Sequence, residues 1–317
     1  MQSKFSSKLI PLPVFIFVLF VILFEKYQGV RRFSSMMLSN NGLTKISEKI
    51  CGTVYLVPMF SDNYGLLLVD EKDTTSSKRI AACIDPGDGL AILKAADALN
   101  LDLKYVLCTH KHADHVGGNT VIRQRLPSVQ IIGTGYEEIP EINIKVHDGD
   151  SISFGGLEIK TIYAPCHTKG HVLYYVQRKE KTTGDSREES PILFSGDTLF
   201  VGGCGRFFEG TASDMLANMD RIASLPPDTH VFCAHEYTES NLKFLASIDD
   251  GPACSSMLSE VVAKRRANIP TVPSTVGKEL EYNLFMKCRE ARTQELLKCR
   301  NAEETMGTLR KRKNDFK

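Results

Sequence analysis

The chain has 317 residues, a formal net charge of +1, and an ordinary globular composition of 42% hydrophobic and 24% charged residues. This length suits two domains, and the near-neutral charge gives no electrostatic case for a nucleic-acid partner. Its nine cysteines are scattered without a CxxC pair, which argues against a disulfide framework and favours a reducing compartment. We expect a monomer.

Residues 1–45 are expected to form a targeting or membrane-anchor segment, with residues 1 to about 35 outside the fold. An apolar run covers residues 9–24, and a basic, serine-containing stretch follows at residues 31–35. The run of sixteen residues is short for a membrane-spanning helix, which needs about 20. A secretory signal is disfavoured because no small-residue cleavage site follows the run.

Two interpretations of this segment stay open. It is either an organelle presequence, which predicts a mitochondrial location, or a membrane anchor that contacts lipid through residues 9–24. Met36 and Met37 offer internal starts, and a cytosolic product that began at either of them would lack the segment.

Short apolar stretches bounded by turn residues predict strands with interleaved helices from residue 46 to residue 235. A second sheet is expected from the run of short strands that begins with 129–132. The charged stretch at 177–190 is interpreted as a solvated hairpin tip. Helical patterns dominate from residue 239, with a break at 270–274. We therefore predict an α/β fold in which a two-sheet αββα domain, residues 46–235, precedes a helical domain, residues 236–317. The predicted strands are 53–57, 66–69, 80–84, 105–108, 129–132, 142–146, 151–154, 157–163, 172–176, 192–194 and 231–233, and the predicted helices before residue 239 are 90–99, 120–126 and 214–225.

Four potential metal ligands, His110, His112, Asp114 and His115, lie within six positions directly after the predicted strand 105–108. A loop at the carboxyl end of a strand can bend all four side chains onto one metal centre or two. This edge of a sheet is where α/β proteins place their chemistry. A merely histidine-rich surface loop is the alternative, and the strand–loop–helix context makes it the weaker interpretation.

Three further candidate ligands, His167, Asp197 and His235, follow other predicted strands. Seven ligands are too many for one catalytic zinc, which takes three protein ligands and a water. Two metal ions fit, because a shared carboxylate can bridge ions about 3.5–4 Å apart. Asp85 ends another predicted strand and is expected to support a ligand from behind, whereas His171 is assigned either to packing or to the same supporting role.

These motifs resemble the metallo-β-lactamase superfamily and, within it, glyoxalase II, the hydroxyacylglutathione hydrolases. The resemblance covers residues 50–317 and rests on residues 109–115, 165–168, 195–198 and 235–238. It implies a metallo-β-lactamase-like sandwich with two divalent metal ions, zinc being expected and iron or manganese being alternatives. It implies hydrolysis of S-D-lactoylglutathione to D-lactate and glutathione. By the same resemblance one ion is held by His110, His112 and His167, the other by Asp114, His115 and His235, with Asp197 as the bridge and a metal-bridging hydroxide, held by Asp114 and Asp197, as the nucleophile.

A second set of residues resembles the family's glutathione contacts, which makes the helical domain a substrate-binding one. Phe208 stands where the family commonly has tyrosine, and the loss of that hydroxyl removes a hydrogen bond worth about 0.5–1.5 kcal/mol net. We expect modestly weaker glutathione binding. The implied contacts are Arg206, Phe207, Phe208, Tyr237, Arg310 and Lys313.

The principal alternative is a mononuclear-iron persulfide dioxygenase of the same superfamily, since such an enzyme also carries the HxHxDH motif. His171 and the helical region after residue 249, with its basic end, count against it. A nuclease of the same fold is disfavoured by the near-neutral charge, and a non-enzymatic metal-binding module by the seven intact ligands.

Overall fold

The computed structural model describes residues 37–38, 42–73, 77–179, 189–249 and 251–316. The apolar run at 9–24 and most of the predicted hairpin tip at 177–190 lie outside these residues. Within the described ranges, no helix is long and apolar enough to cross a membrane.

Eight strands form the first sheet, in the same order in space as in sequence. Strands β1 to β5 pair antiparallel, and β5 to β8 pair parallel. The parallel pairs need crossover connections, which place the carboxyl ends of β5 and β6 at one edge of the sheet. The elements are β1 (Met37–Leu38), β2 (Thr44–Ile46), β3 (Thr53–Met59), β4 (Asn63–Val69), β5 (Arg79–Ile84), α1 (Gly89–Ala98), β6 (Leu101–Cys108), α2 (Ala113–Val116), α3 (Asn119–Arg125), β7 (Gln130–Thr134) and β8 (Ile144–Val146).

Six strands form the second sheet in the order β16-β15-β12-β11-β10-β9. Strands β12 and β15 pair parallel and are joined through a long helical crossover, whereas the other pairs are antiparallel. A two-stranded hairpin, β13 with β14, lies outside both large sheets. The elements are β9 (Ser151–Phe154), β10 (Leu157–Tyr163), β11 (Val172–Arg178), β12 (Ile192–Gly196), β13 (Leu199–Phe200), β14 (Gly203–Cys204), α4 (Ala212–Ala223), β15 (His230–Cys233) and β16 (Ser274–Thr275).

Two hydrophobic clusters cover the two faces of the first sheet. Along β3, Val54 and Leu56 point into the larger cluster, which also contains the second sheet, while Tyr55 and Val57 point into the smaller cluster beneath α1. A strand that is buried on both faces reads as a continuous apolar run, as β3 and β4 do. The predicted two-sheet α/β architecture is confirmed.

The C-terminal region is helical, as predicted, but it also adds strand β16 to the edge of the second sheet beside β15. Its buried side chains, among them Val261, Phe285 and Leu309, belong to the same large cluster as the second sheet. The helices are α5 (Thr238–Ala246), α6 (Pro252–Arg266), α7 (Val276–Tyr282), α8 (Ala291–Leu297) and α9 (Ala302–Asp315).

Three details differ from the sequence-based prediction. Strands β7 and β8 belong to the first sheet, so the second sheet starts only at β9. The two-residue strands β13, β14 and β16 were not predicted, because their pairing depends on distant contacts rather than on a local apolar pattern. The predicted ligand loop at 109–115 contains the start of a short helix, α2, which redirects the chain after His112.

Candidate metal centre

The first group of candidate ligands comprises His110, His112 and His167. His110 and His112 follow β6, and His167 follows β10, so two sheets contribute to the group. Nε2 of His110 and Nε2 of His167 both lie 3.0 Å from Nδ1 of His112. Burial lowers the pKa of His110 well below its ordinary value and also lowers the pKa of His167, which keeps these two imidazoles neutral. A neutral imidazole is the form that binds a metal.

The second group comprises Asp114, His115 and His235. The first two lie on α2, and His235 follows β15. Oδ2 of Asp114 lies 3.6 Å from Nε2 of His115 and 3.5 Å from Nε2 of His235, and the two Nε2 atoms are 3.3 Å apart. The candidate ligand atoms within each group all lie within 4.8 Å of one another.

Asp197 lies between the two groups, at the end of β12. Its Oδ2 is 3.4 Å from His167, and its Oδ1 is 3.4 Å from both His115 and His235. Oδ1 is buried and has no hydrogen-bond partner among the described residues. Burial raises the pKa of Asp197, but the surrounding imidazoles, His115 first, outweigh it and hold that pKa below its ordinary range. A buried, ionised oxygen facing imidazole nitrogens of both groups fits a pair of bound cations.

Asp85 contacts both Thr109 and His115 of the candidate ligand motif. Its Oδ2 lies 3.0 Å from Nδ1 of His115 and accepts a 2.7 Å hydrogen bond from the Thr109 hydroxyl, while Oδ1 accepts one of 2.8 Å from the Thr109 amide. The residue adopts a left-handed backbone conformation with φ 52°. Burial lowers the pKa of His115, yet the carboxylates of Asp197 and Asp85 outweigh it and raise that pKa to about 9.

His171 contacts Asp197 rather than joining either group. Its Nε2 accepts a 3.1 Å hydrogen bond from the Asp197 amide, and its Nδ1 lies 3.2 Å from the Thr198 hydroxyl. The ring stacks on His110 at 4.8 Å. Of the two roles left open by the sequence, the contacts favour support of a ligand.

Glu137 was not predicted from the sequence, although it ties together two of the loops that carry ligands. Its Oε1 accepts a 2.7 Å hydrogen bond from the amide of Lys111, between His110 and His112. Its Oε2 accepts one of 3.1 Å from the amide of Gly170, in the loop after His167. The residue lies in a turn, and no local sequence pattern distinguishes it from other acidic residues in turns.

Comparison with known proteins agrees with this geometry. The family model described as "Metallo-beta-lactamase superfamily" matches residues 73–180, and that described as "Hydroxyacylglutathione hydrolase C-terminus" matches residues 236–316. A cytoplasmic hydroxyacylglutathione hydrolase of Arabidopsis thaliana is 38% identical over 267 residues, which cover 83% of this chain and 99% of the relative. The hydroxyacylglutathione hydrolase of Aeromonas salmonicida is 36% identical with the same coverage. This chain belongs to the hydroxyacylglutathione hydrolase family. The family predicted from the sequence is therefore confirmed.

Solved structures support the fold alone. ETHE1 from Myxococcus xanthus aligns with a TM-score of 0.53 at 20% identity, covering 85% of this chain and 89% of that one. A metallo-β-lactamase from Staphylococcus aureus aligns with a TM-score of 0.53 at 21% identity, covering 78% and 63%. Both likenesses agree with the metallo-β-lactamase fold to which the hydroxyacylglutathione hydrolase family belongs.

A cavity of about 490 Å³ opens above the candidate ligands. Five of the six residues predicted to contact glutathione line it: Arg206, Phe208, Tyr237, Arg310 and Lys313. Phe207 does not line the cavity, because its ring packs against the large hydrophobic cluster. Phe207 therefore anchors the loop on the core while its two neighbours, Arg206 and Phe208, face the cavity.

The loop that carries Arg206 and Phe208 also contacts a candidate ligand, His167. His167 Nδ1 lies 3.0 Å from the carbonyl oxygen of Arg206, so this ring nitrogen donates and Nε2 is left for a metal. The loop approaches Asp197 so closely that a Cβ on Gly205 would overlap the carbonyl oxygen of Asp197. Only glycine permits this approach.

Two cysteines beside the cavity are poorly suited to act as nucleophiles. Cys166 and Cys204 are both buried. Burial raises the pKa of the Cys204 thiol to about 12 and that of Cys166 above the ordinary range. A thiol held in its neutral form is a weak nucleophile.

Proposed function

We propose that this member of the hydroxyacylglutathione hydrolase family hydrolyses the thioester of S-D-lactoylglutathione to D-lactate and glutathione. One observation carries the proposal. The two groups of candidate ligands meet at Asp197, on the floor of a cavity whose wall is cationic. A floor that binds metal suits the thioester carbonyl, and a cationic wall suits the two carboxylates of glutathione.

The proposed ligands are His110, His112 and His167 for one ion and Asp114, His115 and His235 for the other, with Asp197 between them. When bound, two divalent ions supply a hydroxide nucleophile at neutral pH and positive charge for the developing oxyanion. Zinc is our proposal for the metal, since imidazole nitrogens and carboxylate oxygens are zinc ligands. The same donors, without a thiolate, also suit iron and manganese.

The protein's own groups hold and orient the substrate. Arg310 and Lys313 lie on one face of α9 and are proposed to bind the glycine carboxylate of glutathione. Tyr237, which stacks on His235 at 4.6 Å, is proposed to contact the peptide next to the metal centre. No acid is needed at the leaving sulfur, because a thiol with a pKa near 8.5 leaves readily as thiolate.

The test combines elemental analysis of purified protein with thioester turnover. We expect two divalent ions per chain. Asp197→Ala should lower turnover by more than about 100-fold, because replacing a residue that only contacts a metal ligand already lowers metal affinity or activity by about 10–100-fold. The ordinary surface substitution Asp150→Asn is the control. One iron per chain with persulfide oxidation would instead establish the dioxygenase alternative, which the family membership does not favour. Near-normal turnover in Asp197→Ala would rule out a bridging role for Asp197.

We also propose a mitochondrial location and a monomer, on the argument from the N-terminal segment and the free cysteines. Cell fractionation tests the location, and light scattering tests the monomer. Protein that resists alkaline extraction from membranes would establish the anchor interpretation, and protein confined to the cytosol would establish the internal start.

A further inference from the structure

The turn between β3 and β4 contacts the second ligand group at His235, whereas Asp85 contacts it at His115. Asp62, in this turn, places Oδ1 2.9 Å from Nδ1 of His235. The other ring nitrogen of His235, Nε2, faces Oδ2 of Asp114 at 3.5 Å and Oδ1 of Asp197 at 3.4 Å. A carboxylate at Nδ1 keeps the proton on that nitrogen and directs the lone pair of Nε2 towards the centre.

Asn63, the next residue, contacts Asp114, the most exposed member of the group. Its Nδ2 donates a hydrogen bond of 3.1 Å to Oδ2 of Asp114, the same oxygen that faces His115 and His235. The Asp114 side chain is 42% exposed, so packing does little to fix its rotamer. Asn63 itself is 6% exposed and therefore has a defined position from which to hold it.

The turn and the His235 segment are fastened together through the backbone. The amide of Tyr64 donates to the carbonyl of Ala234 at 2.7 Å, and the amide of Glu236 donates to the carbonyl of Asp62 at 2.9 Å. The Glu236 carboxylate in turn accepts from the Tyr64 hydroxyl at 2.8 Å and from the amide of Thr271 at 2.9 Å. These bonds keep Asp62 and His235 in register, so the contact between their side chains is preorganised.

We infer that Asp62 and Asn63 are positioning residues for the second ligand group, Asp62 by fixing the tautomer and ring orientation of His235 and Asn63 by orienting the Asp114 carboxylate. The inference rests on the proposed assignment of these side chains as ligands. The first group has separate supports: His110 Nδ1 lies 3.0 Å from the Thr109 hydroxyl, and His167 Nδ1 lies 3.0 Å from the Arg206 carbonyl. Loss of the turn contacts should therefore weaken one metal position and spare the other.

The first measurement is zinc retained per chain as the full-length protein is dialysed against rising concentrations of a chelator. In Asp62→Ala and in Asn63→Ala, one of the two zinc ions should leave at about 10–100-fold lower chelator concentration than in the wild type, while the other is retained as before. Asp62→Asn should lie in between, because its amide oxygen still accepts the Nδ1 proton but carries no charge. Asp150→Asn is the matched control, since Asp150 lies 3.6 Å from the exposed ring of His147, away from the centre.

The second measurement needs no metal. Proton–nitrogen correlation spectra of the metal-free protein identify which ring nitrogen of His235 carries the proton. We expect the Nδ1–H form in the wild type and in Asp62→Asn, and a shift towards the Nε2–H form in Asp62→Ala.

The outcomes separate the two proposals. If Asp62→Ala keeps both ions at wild-type chelator concentrations, or leaves the His235 tautomer unchanged, the positioning role of Asp62 is wrong. If Asn63→Ala retains both ions as the wild type does, the role of Asn63 is wrong. If the wild type itself binds a single ion, the two-metal proposal fails, and the His235 spectra still decide the role of Asp62. Should Asp62→Ala not fold, Asp62→Asn gives the comparison, because a wild-type chelator response in that variant would exclude a contribution from the charge.

Discussion

Phe208 is the residue at which the site departs from the family resemblance. Its side chain is 58% exposed, and its ring lies 5.8 Å from that of His112 and 5.1 Å from that of His167. The ring therefore covers the ligands of the first group from the cavity side. It offers no hydrogen bond to the polar backbone of glutathione, because phenylalanine has no polar atom.

We predict that Phe208→Tyr lowers KM for S-D-lactoylglutathione by about two- to tenfold, the equivalent of one hydrogen bond of about 0.5–1.5 kcal/mol. Turnover at saturation should stay near normal, since the added contact is present in both ground and transition states. Steady-state kinetics measure both quantities. The control is Phe207→Tyr, whose ring packs against the hydrophobic cluster and does not line the cavity, so the added hydroxyl should not lower KM. Equal KM values for Phe208→Tyr and the wild type would contradict the proposed contact.

Sequence reasoning identified residues that lie together in the chain and missed residues whose partners are distant in the chain. His110, His112, Asp114 and His115 are adjacent in a recognisable motif after a strand, and chemistry at a strand end leaves a local pattern. Asp62 has no such pattern, because its partner His235 lies 173 residues away. Glu137 and Asn63 act across 26 and 51 residues. A support of this kind is visible only once the chain has folded.

At the scale of elements, helix α9 brings two cations to the cavity wall, but it does not present them as free surface charges. Arg310 is 7% exposed, donates to the carbonyl of Cys204 at 2.7 Å and to Asn314 at 3.0 Å. Lys313 donates to the carbonyl and hydroxyl of Ser240 at 2.9 and 3.0 Å. These bonds use two of the five Arg310 donors and two of the three Lys313 donors, which leaves donors for a carboxylate.

The burial of α9 separates the roles of its two cations. Because Arg310 holds the carbonyl of Cys204, replacing it would also loosen the loop that leads to Arg206 and Phe208. Lys313 makes its bonds to Ser240 on α5 instead. Substitution of Lys313 is therefore the cleaner test of glutathione binding.

The lowered pKa of Lys313 predicts how KM depends on pH. Burial, followed by the charge of Arg310, lowers its pKa to about 8. The ammonium is charged below that pH and neutral above it, so its attraction for a carboxylate is present at lower pH and lost as the pH rises. We predict that KM increases by about fivefold, or ~1 kcal/mol, as the pH passes from about 7 to about 9.

The control is Lys313→Arg, because a guanidinium stays protonated throughout this range. The KM of Lys313→Arg should lack the increase of about fivefold between about pH 7 and about pH 9. A change in KM caused by titration of the substrate would appear in both enzymes. Steady-state kinetics across the pH range make the comparison. An identical step in both enzymes would assign the pH dependence to a group other than Lys313.

At the scale of the whole molecule, the helical region and the second sheet share one hydrophobic cluster. The contact is also polar: Glu279 on α7 is fully buried and accepts hydrogen bonds from the amide of Gly202 at 2.9 Å, from Tyr282 at 2.6 Å and from Asn283 at 2.9 Å. Gly202 lies in the β13–β14 hairpin, so a single carboxylate joins the C-terminal helices to a segment that borders the cavity. Burial raises the pKa of Glu279.

We predict that Glu279→Ala lowers the free energy of unfolding by about 3 kcal/mol or more, since it leaves several buried donors without an acceptor at ~1–3 kcal/mol each. Urea-induced unfolding measures the change. Glu281→Ala is the matched control on the same helix, because its side chain is exposed, and it should change the stability by less than about 0.5 kcal/mol. Equal stabilities of the two variants would mean that the carboxylate does not hold the helices to the hairpin.

The sequence predicted most of the strands because apolar runs and alternation follow from burial on one face or two. It did not assign β7 and β8 to the correct sheet, since the choice is made by the parallel crossover from β6 rather than by composition. The boundary at residue 236 stays a prediction, because the side chains on either side of it pack into one core.

The contact between Asp62 and His235 also bears on how the protein is made. Asp62 is synthesised early and His235 173 residues later, so the second ligand group cannot assemble while the chain is still short. Strand β15, which precedes His235, is bordered on one side by β12 and on the other by β16, which follows the first two C-terminal helices, α5 and α6. The growing chain therefore emerges from the ribosome with the second ligand group incomplete. Stable metal binding by this group can occur only after most of the chain has been synthesised.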